Sequence, residues 1–184
     1  MRERLLPLFA PAAAACLALM ALSPTASAGP PPAARAHTAL TSLLCTGEAT
    51  GTYDPPLTHT TRQTTVAGTE DYDCVGNVLI TAGTGTFSVT QDASCTSLNL
   101  DVPNHVTYHW NPGTRSSSVS FPHTNVVRAN GLVAVTSTGT VTSGLGKGAS
   151  ANRVVVLPEP DLTACSGDGL EDFNGTATLT ILGL

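Results

Sequence analysis

From about residue 45 onward, short runs alternate apolar and polar residues one for one and are separated by turn residues, a pattern that admits few folds. Within residues 105–121, Val106, Tyr108 and Trp110 interleave with His105, Thr107 and His109. Asn111-Pro112-Gly113-Thr114 then turns the chain, and Val119 and Phe121 resume the apolar face. Successive side chains of a strand point to opposite faces, so a period of two builds a sheet with one face buried and one wet. Comparable runs cover residues 45–53, 59–67, 85–90, 94–100, 105–110, 116–121, 125–128, 132–142, 151–157 and 174–181, many of them rich in Thr. Asp54-Pro55-Pro56, Ala82-Gly83, Asn130-Gly131, Gly144-Leu145-Gly146 and Gly167-Asp168-Gly169 read as the turns between them. Eight to ten short strands predict an all-β domain: an antiparallel β-sandwich, with a closed antiparallel β-barrel as the alternative. Expected core residues are Val106, Tyr108, Trp110, Val119, Phe121, Val133, Val135, Val154, Val156, Leu179 and Ile181.

The start of the chain has a different character. Arg2 and Arg4 precede an apolar stretch from Leu5 to Leu22, and Ala26-Ser27-Ala28 then supplies the small side chains a signal peptidase accepts. Residues 1–28 therefore read as a signal peptide cleaved after Ala28, with Cys16 discarded inside it. Residues 29–41, with Gly29-Pro30-Pro31-Pro32, are expected to form a disordered or extended Pro/Ala-rich leader, and residues 42–184 a single β domain. No later segment is apolar enough to span a bilayer as a helix.

Export bears on the cysteines. Cys45, Cys74, Cys95 and Cys165 remain after cleavage, and an even count in an exported chain predicts two disulfides. Four cysteines allow three pairings. A hairpin of residues 45–53 with 59–67 leans toward Cys45 with Cys74, leaving Cys95 for Cys165. Removing Arg2, Glu3 and Arg4 leaves six basic and twelve acidic residues, a balance near −6. The remaining cations are scattered singly, which argues against nucleic acid as a partner.

Catalytic constellations are sparse. His105 and His109 lie about 13 Å apart on a strand, too far to share an ion. Acids bunch at Glu70-Asp71-Tyr72-Asp73 and at Asp161 with Asp168-Gly169-Leu170-Glu171-Asp172. Asp71, Asp73, Asp168, Glu171 and Asp172 are candidate calcium ligands, although neither group has the EF-hand spacing. There is no G-x-S-x-G elbow and no Gly-rich loop opening a helix, and no cofactor is implied. With Trp110 and Tyr108 assigned to the core, Tyr53 and Tyr72 are left as a sugar-stacking surface.

Cys45-Thr46-Gly47, Tyr53-Asp54-Pro55-Pro56-Leu57-Thr58, His109-Trp110-Asn111-Pro112-Gly113-Thr114, Gly139-Thr140-Val141-Thr142-Ser143-Gly144, Leu162-Thr163-Ala164-Cys165 and Asn174-Gly175-Thr176-Ala177-Thr178-Leu179-Thr180-Ile181 resemble a group of small secreted actinobacterial all-β proteins. The resemblance covers nearly the whole of residues 45–181. It implies a scaffold and an extracellular compartment, and it assigns no functional residue. The expectation is a non-catalytic secreted or cell-envelope-associated β domain that acts by binding, with a cell-wall or extracellular polymer as the kind of partner. A calcium-dependent carbohydrate-binding module and a hydrolase using loop carboxylates are the alternatives.

Overall fold

The structure, a computed structural model, describes residues 42–77, 79–97 and 102–184. The expected signal peptide and leader lie outside the described residues. Eight strands follow in order: β1 (Ser42–Leu57), β2 (Arg62–Val75), β3 (Ala82–Ala93), β4 (Asn104–Asn111), β5 (Arg115–Ala129), β6 (Leu132–Gly144), β7 (Ser150–Pro158) and β8 (Leu170–Leu182). Each pairs antiparallel with the next, and β8 returns to pair with β1, so the sheet closes as an eight-stranded barrel. Closure leaves no free sheet edge along β1 or β8. A short helix, α1 (Leu162–Ser166), lies between β7 and β8; the Asp161 carboxylate caps it by accepting from the Thr163 N–H at 2.8 Å.

Several expected boundaries move, each for a local reason. Asp54-Pro55-Pro56 does not end β1, which continues to Leu57. The prolines lack N–H donors, and the β1–β8 ladder shifts register between Thr52 and Leu57. Pro122 likewise bends β5 without dividing it, so the expected runs 116–121 and 125–128 are one strand with a shift between Ser120 and His123. Ala82-Gly83 belongs to β3, and residues 94–97 form no strand. Asn130-Gly131 makes the expected hairpin turn, with positive φ at both residues (54° and 75°).

Both disulfides follow the pairing that the hairpin favours. Cys45 and Cys74 face each other in the β1–β2 register with Cα atoms 4.0 Å apart. Cys95 joins Cys165 of α1 across 6.3 Å, tying the end of β3 to the β7–β8 connection. Sequence separations of 29 and 70 correspond to about 3 to 4 kcal/mol each, through restriction of the unfolded chain.

One half of the barrel is filled by Trp110, Tyr108, Phe121, Leu43, Leu179 and Ile181, all essentially inaccessible. Room for the large rings comes from glycines directly opposite them. Gly83 faces Trp110 and Gly85 faces Tyr108. A Cβ on Gly83 would lie 2.5 Å from the Trp110 ring, and one on Gly85 would lie 2.6 Å from that of Tyr108. The register repeats the arrangement with Gly68 opposite Phe87 and Gly51 opposite Phe173. Tyr108 and Trp110 stack with centroids 5.5 Å apart. The indole N–H donates to Ser117 Oγ at 2.8 Å, and Ser117 passes its own proton to the Leu145 carbonyl at 2.7 Å.

Most expected core residues are inside, but β7 is out of phase. Arg153 and Val155 point inward, whereas Val154 and Val156 are only half-buried on the other face. A shift of one residue exchanges the faces of a strand, and the cation was not expected in the interior.

Trp110→Ala is expected to cost about 3 to 5 kcal/mol in denaturant unfolding. The native protein should show blue-shifted fluorescence from this single tryptophan, moving to the solvated position on unfolding.

Candidate functional site

Glu70 is an inward residue of β2 and is wholly inaccessible, and Arg153 enters from β7 on the opposite wall with 4% exposure. A charge isolated in such an interior is strongly disfavoured, so both must be paired and hydrogen-bonded. Glu70 Oε1 accepts from both Nε and Nη2 of Arg153, which form an ion pair with it. Oε2 accepts from the Tyr72 hydroxyl at 2.9 Å and the Tyr108 hydroxyl at 3.4 Å. The Arg153 guanidinium also lies 4.8 Å from the centroid of the Phe87 ring.

This network sets the local proton affinities. Burial, reinforced by the Glu70 charge, raises the Tyr72 and Tyr108 hydroxyls well above the usual phenol value. Burial alone accounts for Tyr53, pushed up to about 12 despite the opposing effect of Arg128. Burial lowers the proton affinity of Arg153, but the adjacent Glu70 carboxylate outweighs it and the guanidinium is held more firmly protonated than usual.

Beyond the ion pair a smaller buried cluster, with Leu57, Ala93 and Cys95 at its centre, fills the barrel only in part. The β3–β4 ladder stops at Phe87 opposite Val106, and β4 begins at Asn104 opposite Phe121. β3 nevertheless runs on to Ala93 and β5 to Ala129, so among the described residues the short β4 leaves a notch in the wall above Asn104. A partly open cavity of about 70 Å³ lies here, lined by apolar side chains that include Phe87, Val89, Val135, Val155 and Phe173, with Arg153 at its inner end. Gln91 and Asn104 also line it, and Gln91 Oε1 and Asn104 Oδ1 are buried without a hydrogen-bond partner. An acceptor left unmade in this way costs about 1 to 3 kcal/mol. A second cavity of about 280 Å³ shares Tyr53, Leu157 and Phe173 with the first and adds Arg128 and Asp172.

The candidate calcium ligands do not meet in either cavity. Asp71 and Asp73 are exposed on the outer face of β2, Asp168 is exposed before β8, and Glu171 and Asp172 are exposed near its start. The register puts Asp71 opposite Glu48 and Asp172 opposite Thr52, four positions along β1, a separation of about 13 Å. Paired glycosidase carboxyls stand about 5 to 9.5 Å apart. Among the described residues, no group of three or more His, Cys, Asp or Glu is placed to hold a metal ion. Asp161 serves instead as the α1 cap, and the Thr163 hydrogen bonds hold its carboxyl below the usual value.

Tyr53 and Tyr72 are interior residues, so they form no exposed sugar platform. His105 and His109 face outward on β4. His59 Nε2 lies 3.0 Å from Ser166 Oγ, but that hydroxyl donates to the Leu162 carbonyl at 3.1 Å. The pair is exposed, and with the Leu162 carbonyl also within hydrogen-bonding distance the hydroxyl is not held for the histidine alone. No helix among the described residues is long and apolar enough to cross a membrane.

Glu70, Arg153, Gln91 and Asn104 are the residues that reading the sequence missed. Their signal was phase: Glu70 falls in step with Val66, Tyr72 and Cys74, and Arg153 in step with Ala151 and Val155. Comparison with family models, with curated proteins and with solved structures finds no match.

Two measurements follow from the network. Glu70→Gln should cost about 3 to 5 kcal/mol by leaving Arg153 unpaired, and adding Arg153→Met should restore much of that loss in denaturant titrations. All three tyrosines of the chain are held protonated in the fold. The unfolded chain loses phenolic protons near pH ~10 while the folded chain keeps them, so this contribution is complete below that pH. It disappears as the pH rises through the folded-state values, about 12 for Tyr53 and higher for Tyr72. Tyrosinate absorbance should therefore appear together with loss of the β-sheet circular dichroism, and not before it.

Proposed function

We propose that this protein is an exported, non-catalytic β-barrel that binds a small, mainly apolar molecule in the cavity above the Glu70–Arg153 pair. The observation that carries the reading is the asymmetry of the interior: one half is packed with aromatic and aliphatic side chains, and the other combines a smaller buried cluster around Leu57, Ala93 and Cys95 with an apolar-lined space, partly open among the described residues. Ligand sites are commonly concave, mostly apolar and provided with a few fixed polar groups, and a barrel mouth is a frequent place for one. The polar groups nearest this space favour binding over turnover. Both Glu70 oxygens already accept hydrogen bonds, and the raised proton affinities of Tyr72 and Tyr108 make them poor bases near neutral pH.

Export is supported by the charged, apolar and small-residue order of residues 1–28 and by the two disulfides. The scaffold reading agrees with the resemblance to small secreted actinobacterial proteins. Thr-rich outward faces, with cross-strand contacts such as Thr65 Oγ1 to Thr90 Oγ1 at 3.0 Å, give the barrel a polar exterior.

Calorimetric titration with benzene tests the cavity. Binding is expected in the native protein and should weaken by at least about tenfold in Val155→Phe, whose added ring occupies the space. Absence of benzene binding in the native protein would overturn the reading.

A further inference from the structure

We infer that the molecule held in this cavity is neutral and presents a hydroxyl group on a hydrocarbon ring or short chain, an inference that rests on the binding reading above. Among the described residues, the buried side-chain polar atoms left without a hydrogen-bond partner are Gln91 Oε1 and Asn104 Oδ1, and both residues line this one cavity. Gln91 is 4% exposed and Asn104 9% exposed, so bulk water does not freely serve them. They come from different strands on the two sides of the notch: Gln91 is an inward residue near the end of β3, and Asn104 is the first residue of β4.

Two unmet carbonyl acceptors call for a donor. A carboxylate or phosphate brings no donor for these two oxygens and would have to leave its charge unhydrated beside apolar walls. Arg153 does not reverse this, because Glu70 neutralises its charge and Phe87 covers one face of the guanidinium. An ammonium group would bring donors but would have to lose its hydration beside apolar walls. The nearest buried carboxylate already accepts from Arg153, Tyr72 and Tyr108. A hydroxyl donates to one side-chain carbonyl, accepts from a side-chain amide N–H, and carries no charge to desolvate. The volume of about 70 Å³ excludes a drug-sized molecule and takes part of a small ring or a short chain, the rest extending through the open side.

The experiment is calorimetric titration of the native protein at neutral pH with cyclohexanol, cyclohexane, cyclohexanecarboxylate and cyclohexylamine, with the side-chain amide NMR signals of Gln91 and Asn104 followed in parallel. Cyclohexanol should bind at least about tenfold more tightly than the acid, the amine or the hydrocarbon, and it should shift both amide signals. Gln91→Leu and Asn104→Leu should each weaken cyclohexanol by about three- to tenfold while leaving cyclohexane within about twofold. Both variants should melt at or above the native temperature, because each replaces an unpartnered buried amide with an apolar group of similar size. Equal binding of cyclohexanol and cyclohexane, or tighter binding of the acid or the amine, would overturn the hydroxyl assignment and leave the cavity reading standing. Failure of all four probes in a protein that binds benzene would also overturn the hydroxyl assignment, whereas failure of benzene itself would overturn the cavity reading. The comparison among probes on the native protein needs no variant, so a variant that failed to fold would not remove the test.

Discussion

Two opposite charges are held inside a barrel that has no bulk water to solvate them, and much of the interior arrangement depends on how they are held. Glu70 and Arg153 stand on β2 and β7, strands that are not neighbours in the sheet, so their contact spans the lumen and fixes the phase of both strands. A slip of one residue in β7 would turn Arg153 out to solvent and leave the Glu70 carboxylate buried without its cation. That penalty exceeds what one or two additional inward valines could return. The pair thus acts as a register lock, and Tyr72 and Tyr108 complete it by occupying the second carboxylate oxygen.

The same pair divides the interior. On one side, the inward glycines of β3 allow Trp110 and Tyr108 to lie against the opposing backbone, and the space is filled. On the other side, a smaller cluster around Leu57 and Ala93 is buried, but among the described residues β4 is too short to continue the wall, and Phe87 and Phe173 over Gly68 and Gly51 leave a space partly open to solvent. Dense packing and an open cavity therefore arise from one strand pattern, in which aromatic residues alternate with glycines across the ladder and strand length varies around the barrel.

The chemistry of the open side supports the proposed binding role. A general acid or base needs a proton affinity near the working pH and a free lone pair or proton. The carboxylate at the inner end of the cavity has its lone pairs engaged, the phenols bind their protons tightly, and the outer-surface acids around Asp71 stand apart from those around Asp172. What the cavity offers is an apolar surface and two unpaired amide carbonyls, which are means of holding a molecule in one orientation.

Local pattern was sufficient for much of the fold. Alternation placed most of the strands, put Val106, Tyr108, Trp110, Val119 and Phe121 inside, and a simple hairpin argument favoured the Cys45–Cys74 pairing. These properties are encoded within a few residues of where they act, or across a single turn. Alternation also led to an error of one position in β7, because it defines two faces without saying which is inner, and a cation is ordinarily assigned to water. That choice was made by Glu70, 83 residues away in sequence. Sheet closure, the pairing of glycines with rings on adjacent strands and the notch above Asn104 likewise depend on which strands become neighbours and where each ladder stops. Only the tertiary structure decides these, because contacts between residues distant in the chain set their energies, and no local periodicity records them.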